Sequence, residues 1–213
     1  MALAERYLSI KQSIPAHVTL VVVSKFQPVE SVQALYDNGQ RIFGENRVQE
    51  LMEKQPKLPA DIRWHCIGTL QTNKVKYIAP FVSLIHSVDS QKLLLEIDKQ
   101  AKKNNRVIDC LLEMHIAQEE TKHGLTFEEA EAILTAPGLN NVLIKGFMGM
   151  ATNTDNTEQV QQEFRSLATF YKKHQAQYNF TYLSMGMSGD NKIAIEEGSN
   201  MVRIGSSIFG ERV

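Results

Sequence analysis

"TLVVVSKFQPVESVQALYDNG", residues 19–39, reads as one complete β/α unit. Leu20, Val21, Val22 and Val23 form an unbroken apolar run of the kind a parallel sheet buries on both faces. Pro28 suits a first helical position, Val29, Val32, Leu35 and Tyr36 recur at helical spacing, and Asn38-Gly39 stops the run. A unit of this kind carries the chain back to begin a second strand parallel to the first.

The alternation recurs along the rest of the chain. Strand-like runs fall at 19–25, 41–45, 62–67, 83–87, 107–116, 142–148, 181–184 and 201–204. Helix signals separate them. Ser90 stands as a cap before Leu93, Leu94, Ile97 and Ala101, and Thr126 with Glu129 forms a capping box. Val160, Phe164, Leu167, Ala168 and Tyr171 mark a helical stripe, and Gly198 ends the last inter-strand helix. An open doubly wound sheet can hold this order, but eight strands in about 200 residues match the lower size limit of a closed barrel. The predicted fold is therefore α/β, a single-domain (β/α)8 TIM-type barrel over 1–213 with an extra N-terminal helix. That helix, "MALAERYLSIKQSI" at 1–14, would cover the gap beside "SSIFGERV" at 206–213, which is too short for a full eighth helix.

Composition narrows the function classes. The chain has 213 residues, 43% hydrophobic and 22% charged, and 23 basic against 24 acidic residues leave a net charge of −1. That balance offers no footprint for nucleic acid. No stretch approaches the roughly 18–20 apolar residues of a membrane helix, and Glu5, Arg6 and Lys11 interrupt any signal-peptide core. Cys66 and Cys110 stand singly in apolar runs, as reduced thiols of a cytoplasmic protein do, and no His/Cys pair has zinc-site spacing.

A barrel of this type places its chemistry where the strands end. The first strand ends in Ser24-Lys25, the second in "FGENR" (43–47), the third in "WHCIGTLQTNK" (64–74) and the fourth in "HSVDS" (86–90). "MHIAQEETKHG" (114–124) and "GFMGMATN" (146–153) follow, then "LSMGMSGDNK" (183–192) and "RIGSSIFG" (203–210). The loops after strands seven and eight commonly bind phosphate. Here Gly189 and Gly205 permit close backbone approach, while Ser188, Ser206 and Ser207 offer hydroxyls and amides. Lys25, opposite that corner, can pair with a phosphate, form a Schiff base with a phosphorylated carbonyl compound, or run past the rim into solvent. His65 and His86 lie within strands and read as core or rim histidines, whereas His17, His123 and His174 read as solvated surface.

These loop motifs together resemble the pyridoxal phosphate homeostasis proteins, barrels similar to the N-terminal domain of alanine racemase, over about residues 21–212. The resemblance implies that Lys25 holds pyridoxal 5′-phosphate (PLP) as a Schiff base. It implies that Ser188, with the backbone of Gly205 and Ser206, cradles the phosphate and that Arg203 faces the pyridine nitrogen. Asn46 and Met187 fall near the ring, and His65, Gln71, Asn73 and Lys74 belong to a motif at the same mouth with no assigned role. "LLEMHIAQEETKHG" (111–124) departs from the family's Asn-containing pattern, so His115 inherits no role.

An arginine beside the pyridine nitrogen keeps that nitrogen unprotonated and the ring a poor electron sink. The racemases take their second base from an additional β domain, which is not expected here, where the sequence ends just after the predicted barrel. The expected function is an intracellular PLP carrier or buffer, cytoplasmic and monomeric, passing cofactor to apo PLP-dependent enzymes without robust catalysis. Two other readings stay open. One is a low-activity racemase-like enzyme using Tyr182, His65 or Lys74 as second base; the other is a cofactor-free Schiff-base aldolase, which would be colourless.

Overall fold

The structure is a computed structural model that describes residues 2–119, 123–136 and 138–210. Glu120 of the fifth motif and Arg212 at the end of the resemblance lie outside the described residues. Eight parallel strands close into a barrel in chain order, β1 (Thr19–Val23), β2 (Ile42–Glu45), β3 (Arg63–Cys66), β4 (Leu84–Val88), β5 (Ile108–Met114), β6 (Val142–Gly149), β7 (Tyr182–Ser184) and β8 (Met201–Ile204). Closure is made by β8 pairing with β1, Thr19 opposite Met201 through Val22 opposite Ile204. The open-sheet alternative is thereby excluded.

Helices α2 (Val29–Asp37), α3 (Val48–Lys54), α4 (Val75–Ile78), α5 (Gln91–Lys103), α6 (Phe127–Thr135), α7 (Thr157–Tyr178) and α8 (Asn191–Glu196) occupy the seven crossovers. Their ends follow the local chemistry of the sequence. Ser90 Oγ accepts from the Leu93 amide at 3.3 Å, and Thr126 and Glu129 exchange both capping-box hydrogen bonds. Pro28 sits one position before its expected place: its ψ of 160° is extended, so it caps α2 instead of beginning it. Helix α1 (Leu3–Ser13) packs against the one-turn α9 (Ser206–Phe209), where Arg6 Nε donates to the Ile208 carbonyl at 2.6 Å. The N-terminal helix thus takes the place of a long eighth helix.

Side chains alternate along each strand and divide the core into two layers. Val22, Phe43, Trp64, Cys66, Ile85, Cys110, Leu112, Phe147 and Val202 face the helices in one large cluster. Val21, Ile42, Leu84, Leu111, Met148 and Met201 fill the barrel's interior in a smaller one. Each fully buried aliphatic or aromatic side chain contributes about 1.5–3 kcal/mol. His174 corrects the sequence reading: α7 buries it against Phe170, and its Nε2 lies 3.1 Å from Glu131 Oε1. No helix among the described residues is long and apolar enough to cross a membrane.

One glycine is required by the barrel itself. Gly146 has φ +139°, and a Cβ there would come within 1.9 Å of the Tyr182 carbonyl on β7. Gly146→Ala is expected to lower stability by about 2–4 kcal/mol. Urea denaturation checks this, and a loss below about 1 kcal/mol would show that β6 and β7 can part without cost.

Candidate functional site

Parity along β1 aims the site's lysine. Val21 and Val23 point inward and Ser24 outward, so Lys25 returns to the interior side just beyond the strand's end. Its two neighbours are then pinned from outside the barrel by a buried ionic cluster. Lys54 Nζ, on α3, donates to the Ser24 carbonyl at 2.7 Å, to Glu45 Oε1 at 2.7 Å and to Glu50 Oε2 at 3.0 Å. Those three acceptors use all three ammonium protons. Ser24 Oγ also donates to Glu45 Oε1 at 2.6 Å, and the Phe26 amide donates to Glu50 Oε2 at 2.6 Å. Phe26 itself adopts φ +63°, unusual for a bulky side chain, with the Arg47 guanidinium 4.9 Å from its ring centre. The strained turn persists because its flanks are held.

Burial raises the Glu45 carboxyl to about 7, against the opposing pull of Lys54 and Ser24. Its Oε2 is buried without a hydrogen-bond partner. The cluster is costly to break from one side: Lys54→Met would leave Glu45 buried without its counter-charge.

At the C-terminal ends of the strands lies a cavity of about 470 Å³. It brings together every cofactor-binding candidate from the sequence: Lys25, Asn46, Met187, Ser188, Arg203, Gly205 and Ser206. The corner opposite Lys25 is built from backbone. The amides of Gly205 and Ser207 both point at Ser188 Oγ, at 3.3 and 3.4 Å. Hydrogen bonds that long leave these donors able to turn to the oxygens of an anion. Asp190 Oδ1 accepts from the Met187 amide at 2.6 Å, and Asn191 Nδ2 donates to the Met187 carbonyl, so the 187–190 turn is itself held. Gly205 packs tightly on β1: a Cβ would stand 3.0 Å from the Val23 carbonyl, which would have to give by a few tenths of an ångström to admit a side chain.

Arg203 crosses the floor of this cavity, only 4% exposed. One guanidinium nitrogen donates to the Ser184 carbonyl at 2.8 Å and to Ser184 Oγ at 2.5 Å; the other reaches the Gly149 carbonyl at 3.1 Å. Burial lowers it to about 10, which leaves it charged at neutral pH. Burial also raises Glu113, on β5, to about 7, with Asp89 reinforcing and Arg203 opposing the shift.

The sequence reading missed these supports, because Ser184, Glu113 and Lys54 carry no motif of their own. Strand parity was the available signal for Ser184, two residues before which Tyr182 also packs against the interior cluster. It also misplaced part of the third motif. His65 lies inside the barrel, its Nδ1 3.0 Å from His86 Nε2, and lines a cavity at the opposite end together with Tyr182. Gln71, Asn73 and Lys74 follow β3 but do not line the Lys25 cavity, and the Lys74 ammonium stands 5.8 Å from the Tyr77 ring. His115 is exposed, with Nε2 3.1 Å from the Glu119 carbonyl. Burial pushes the Cys66 thiol up to about 12 and raises Cys110 as well, so neither is a nucleophile. No cluster of three metal-ligating side chains occurs among the described residues.

The family model for the alanine racemase N-terminal domain matches residues 1–213. The pyridoxal phosphate homeostasis protein of Aquifex aeolicus is 44% identical over 197 residues, covering 91% of this chain and 86% of the relative. The protein of that name from Schizosaccharomyces pombe is 35% identical over 202 residues, covering 92% and 85%. Among solved structures, PipY of Synechococcus elongatus with PLP bound superposes with a TM-score of 0.90 at 35% identity, over 98% of this chain and all of that one. Alanine racemase from Clostridium difficile shares the fold, with a TM-score of 0.78 at 14% identity over 99% of this chain and 56% of that one.

Two measurements test the supports. Lys54→Met is expected to cost about 3 kcal/mol in urea unfolding; a cost near zero would mean that the cluster does not hold the Lys25 turn. Glu113 gives a pH signature. Its native carboxyl titrates at about 7 instead of 4.5, so the folded state keeps a proton that the unfolded chain has already lost. The stabilisation is complete below the lower value and disappears as pH rises through the upper one, by up to about 3 kcal/mol. Glu113→Gln should reduce the slope across that window and leave the share that Glu45, also raised to about 7, contributes; an unchanged slope would refute the assignment.

Proposed function

The chain belongs to the pyridoxal phosphate homeostasis proteins, within the family of the alanine racemase N-terminal domain, and from that premise we propose that it binds pyridoxal 5′-phosphate at the Lys25 cavity. The single observation that carries the reading is the opposition, across one cavity, of the Lys25 side chain and the Ser188–Gly205–Ser206 corner. A phosphate ester and an aldehyde on one small molecule fit those two ends. The residues present also suit the group between them, with Arg203 at the floor and Asn46 and Met187 on the walls.

When bound, the cofactor supplies an electrophilic aldehyde and an electron-withdrawing ring. Lys25 attaches it as a Schiff base, which demands an amine held at a fixed place. The pinning of Ser24 and Phe26 by Lys54, Glu45 and Glu50 supports that role. Ser188 Oγ and the amides of Gly205 and Ser206 hold the phosphate. Arg203 has only protons to offer and stays charged, so beside the ring nitrogen it keeps that nitrogen an acceptor. The ring is then a weak sink for electrons, which favours holding the cofactor over turning substrates with it.

The placement of the candidate second bases agrees with a carrier or buffer. Tyr182 and His65 line the cavity at the other end of the barrel, and Lys74 does not reach the Lys25 cavity. The function proposed is storage and delivery of PLP in the cytoplasm by a monomeric single-domain barrel over 1–213, with apo PLP-dependent enzymes as recipients. Neither nucleic acid nor membrane belongs to this function.

Absorption spectroscopy tests it. The protein loaded with PLP should be yellow, and borohydride should abolish the visible band by fixing the bond. Lys25→Ala should show no such band, and Ser188→Ala should weaken PLP binding about tenfold. A colourless wild type would overturn the reading, as would racemase or transaminase turnover that vanishes with Lys25.

A further inference from the structure

A second cavity, of about 450 Å³, opens at the N-terminal ends of the strands, at the far end of the barrel from Lys25. Lys11 of α1, Arg41, Arg63 and His65 line it, with Thr19 and Tyr182. Three cations in one recess are notable in a chain whose net charge is −1. Arg41 is fixed: its Nε pairs with Asp61 at 3.1 Å, one terminal nitrogen donates to the Tyr36 and Gln40 carbonyls, and its guanidinium lies 3.8 Å from the Tyr36 ring centre. Lys11 and Arg63 have no carboxylate within ion-pair distance among the described residues.

The barrel's interior delivers a hydrogen-bond donor to the same recess, and the donor's polarity can be derived. Arg203 only donates, so Ser184 Oγ is an acceptor at 2.5 Å and has its own proton to give. The acceptor in reach is His86 Nδ1 at 3.1 Å. Burial holds His86 well below its ordinary pKa and His65 at about 3, so both rings are neutral. A neutral His86 that accepts at Nδ1 carries its proton on Nε2, which faces His65 Nδ1 at 3.0 Å. His65 therefore carries its own proton on Nε2. No protein acceptor takes that N–H among the described residues, and the ring lines the cavity. The chain of donors that begins at Arg203 ends as a buried N–H offered to whatever sits between Lys11, Arg41 and Arg63.

We propose that this recess binds a small anion carrying a carboxylate or a phosphate, with Arg63 and Lys11 supplying the charge and the His65 Nε2–H orienting one oxygen. The site does not depend on a cofactor at Lys25, so the two can fail separately.

Calorimetric titration with inorganic phosphate and with succinate, on the full chain loaded with PLP and on the full chain without it, tests it, because free phosphate can also enter the Ser188 corner when PLP does not fill it. At least one probe should bind saturably. Phosphate alone would assign a phosphate site, succinate alone a carboxylate site, and both together an anion site indifferent to the group. Arg63→Ala and Lys11→Ala, both exposed side chains, should each weaken binding about tenfold, while loading with PLP, which fills the Ser188 corner at the other end, should leave the binding that these two changes weaken within about twofold. In ¹⁵N-histidine NMR the His65 Nε2 resonance should move with occupancy, and in Arg63→Ala the midpoint of that movement should shift about tenfold to higher probe concentration. Absence of saturable binding at millimolar probe would overturn the proposal. So would binding that PLP loading removes and Arg63→Ala leaves unchanged, or His65 resonances that do not respond.

Discussion

The arrangement depends on one buried ammonium. Lys54 leaves α3 and ends among the Ser24 carbonyl, Glu45 and Glu50, only 4% exposed. A lysine is buried at that depth only when each of its protons has an acceptor, and here each does. The result is positional. β1, β2 and α3 are tied together at the point where β1 ends, and the turn that carries Lys25 is held on both sides of it. A flexible side chain can serve as a fixed point of attachment only if its own Cα is immobile, and the cluster supplies that immobility.

The barrel's interior is graded along its axis. Its apolar fill, from Val21 and Ile42 to Met201, gives way toward the C-terminal ends to Ser184, His86, Glu113 and Arg203. Groups of this polarity cost several kcal/mol to bury without partners, so their presence must be matched by hydrogen bonds. Arg203 meets two carbonyls and a hydroxyl, and the hydroxyl passes the pattern to two neutral imidazoles. The floor of one cavity and the lining of the other are thus parts of one bonded line.

The fold was legible because it rests on local signals repeated eight times. Every strand range read from the sequence matches the structure to within two residues, and Ser90, Thr126 and Gly198 mark the helix ends as expected. The cavity residues were legible because a parallel barrel puts them at strand ends, where a run of apolar residues breaks off. What escaped is what only three-dimensional neighbourhood decides. Lys54 sits in a short helical run with Glu50 and Glu53, which reads as solvated surface until the helix is laid against β2. His174 reads the same way on α7 and is buried by Phe170 and Tyr178. His65 belongs to a motif whose later residues follow β3, yet strand parity sends its ring inward, away from them.

The turn at Phe26 has a bearing on how such a protein would load and unload. Its left-handed backbone and the hydrogen bonds at Ser24 and Phe26 involve no atom of any guest molecule. The geometry of the turn is therefore set by the chain's own bonds, and little conformational entropy is left there to be lost on uptake. Occupancy then tracks the free concentration of the guest without a folding step in between, as a reservoir in equilibrium with its surroundings requires.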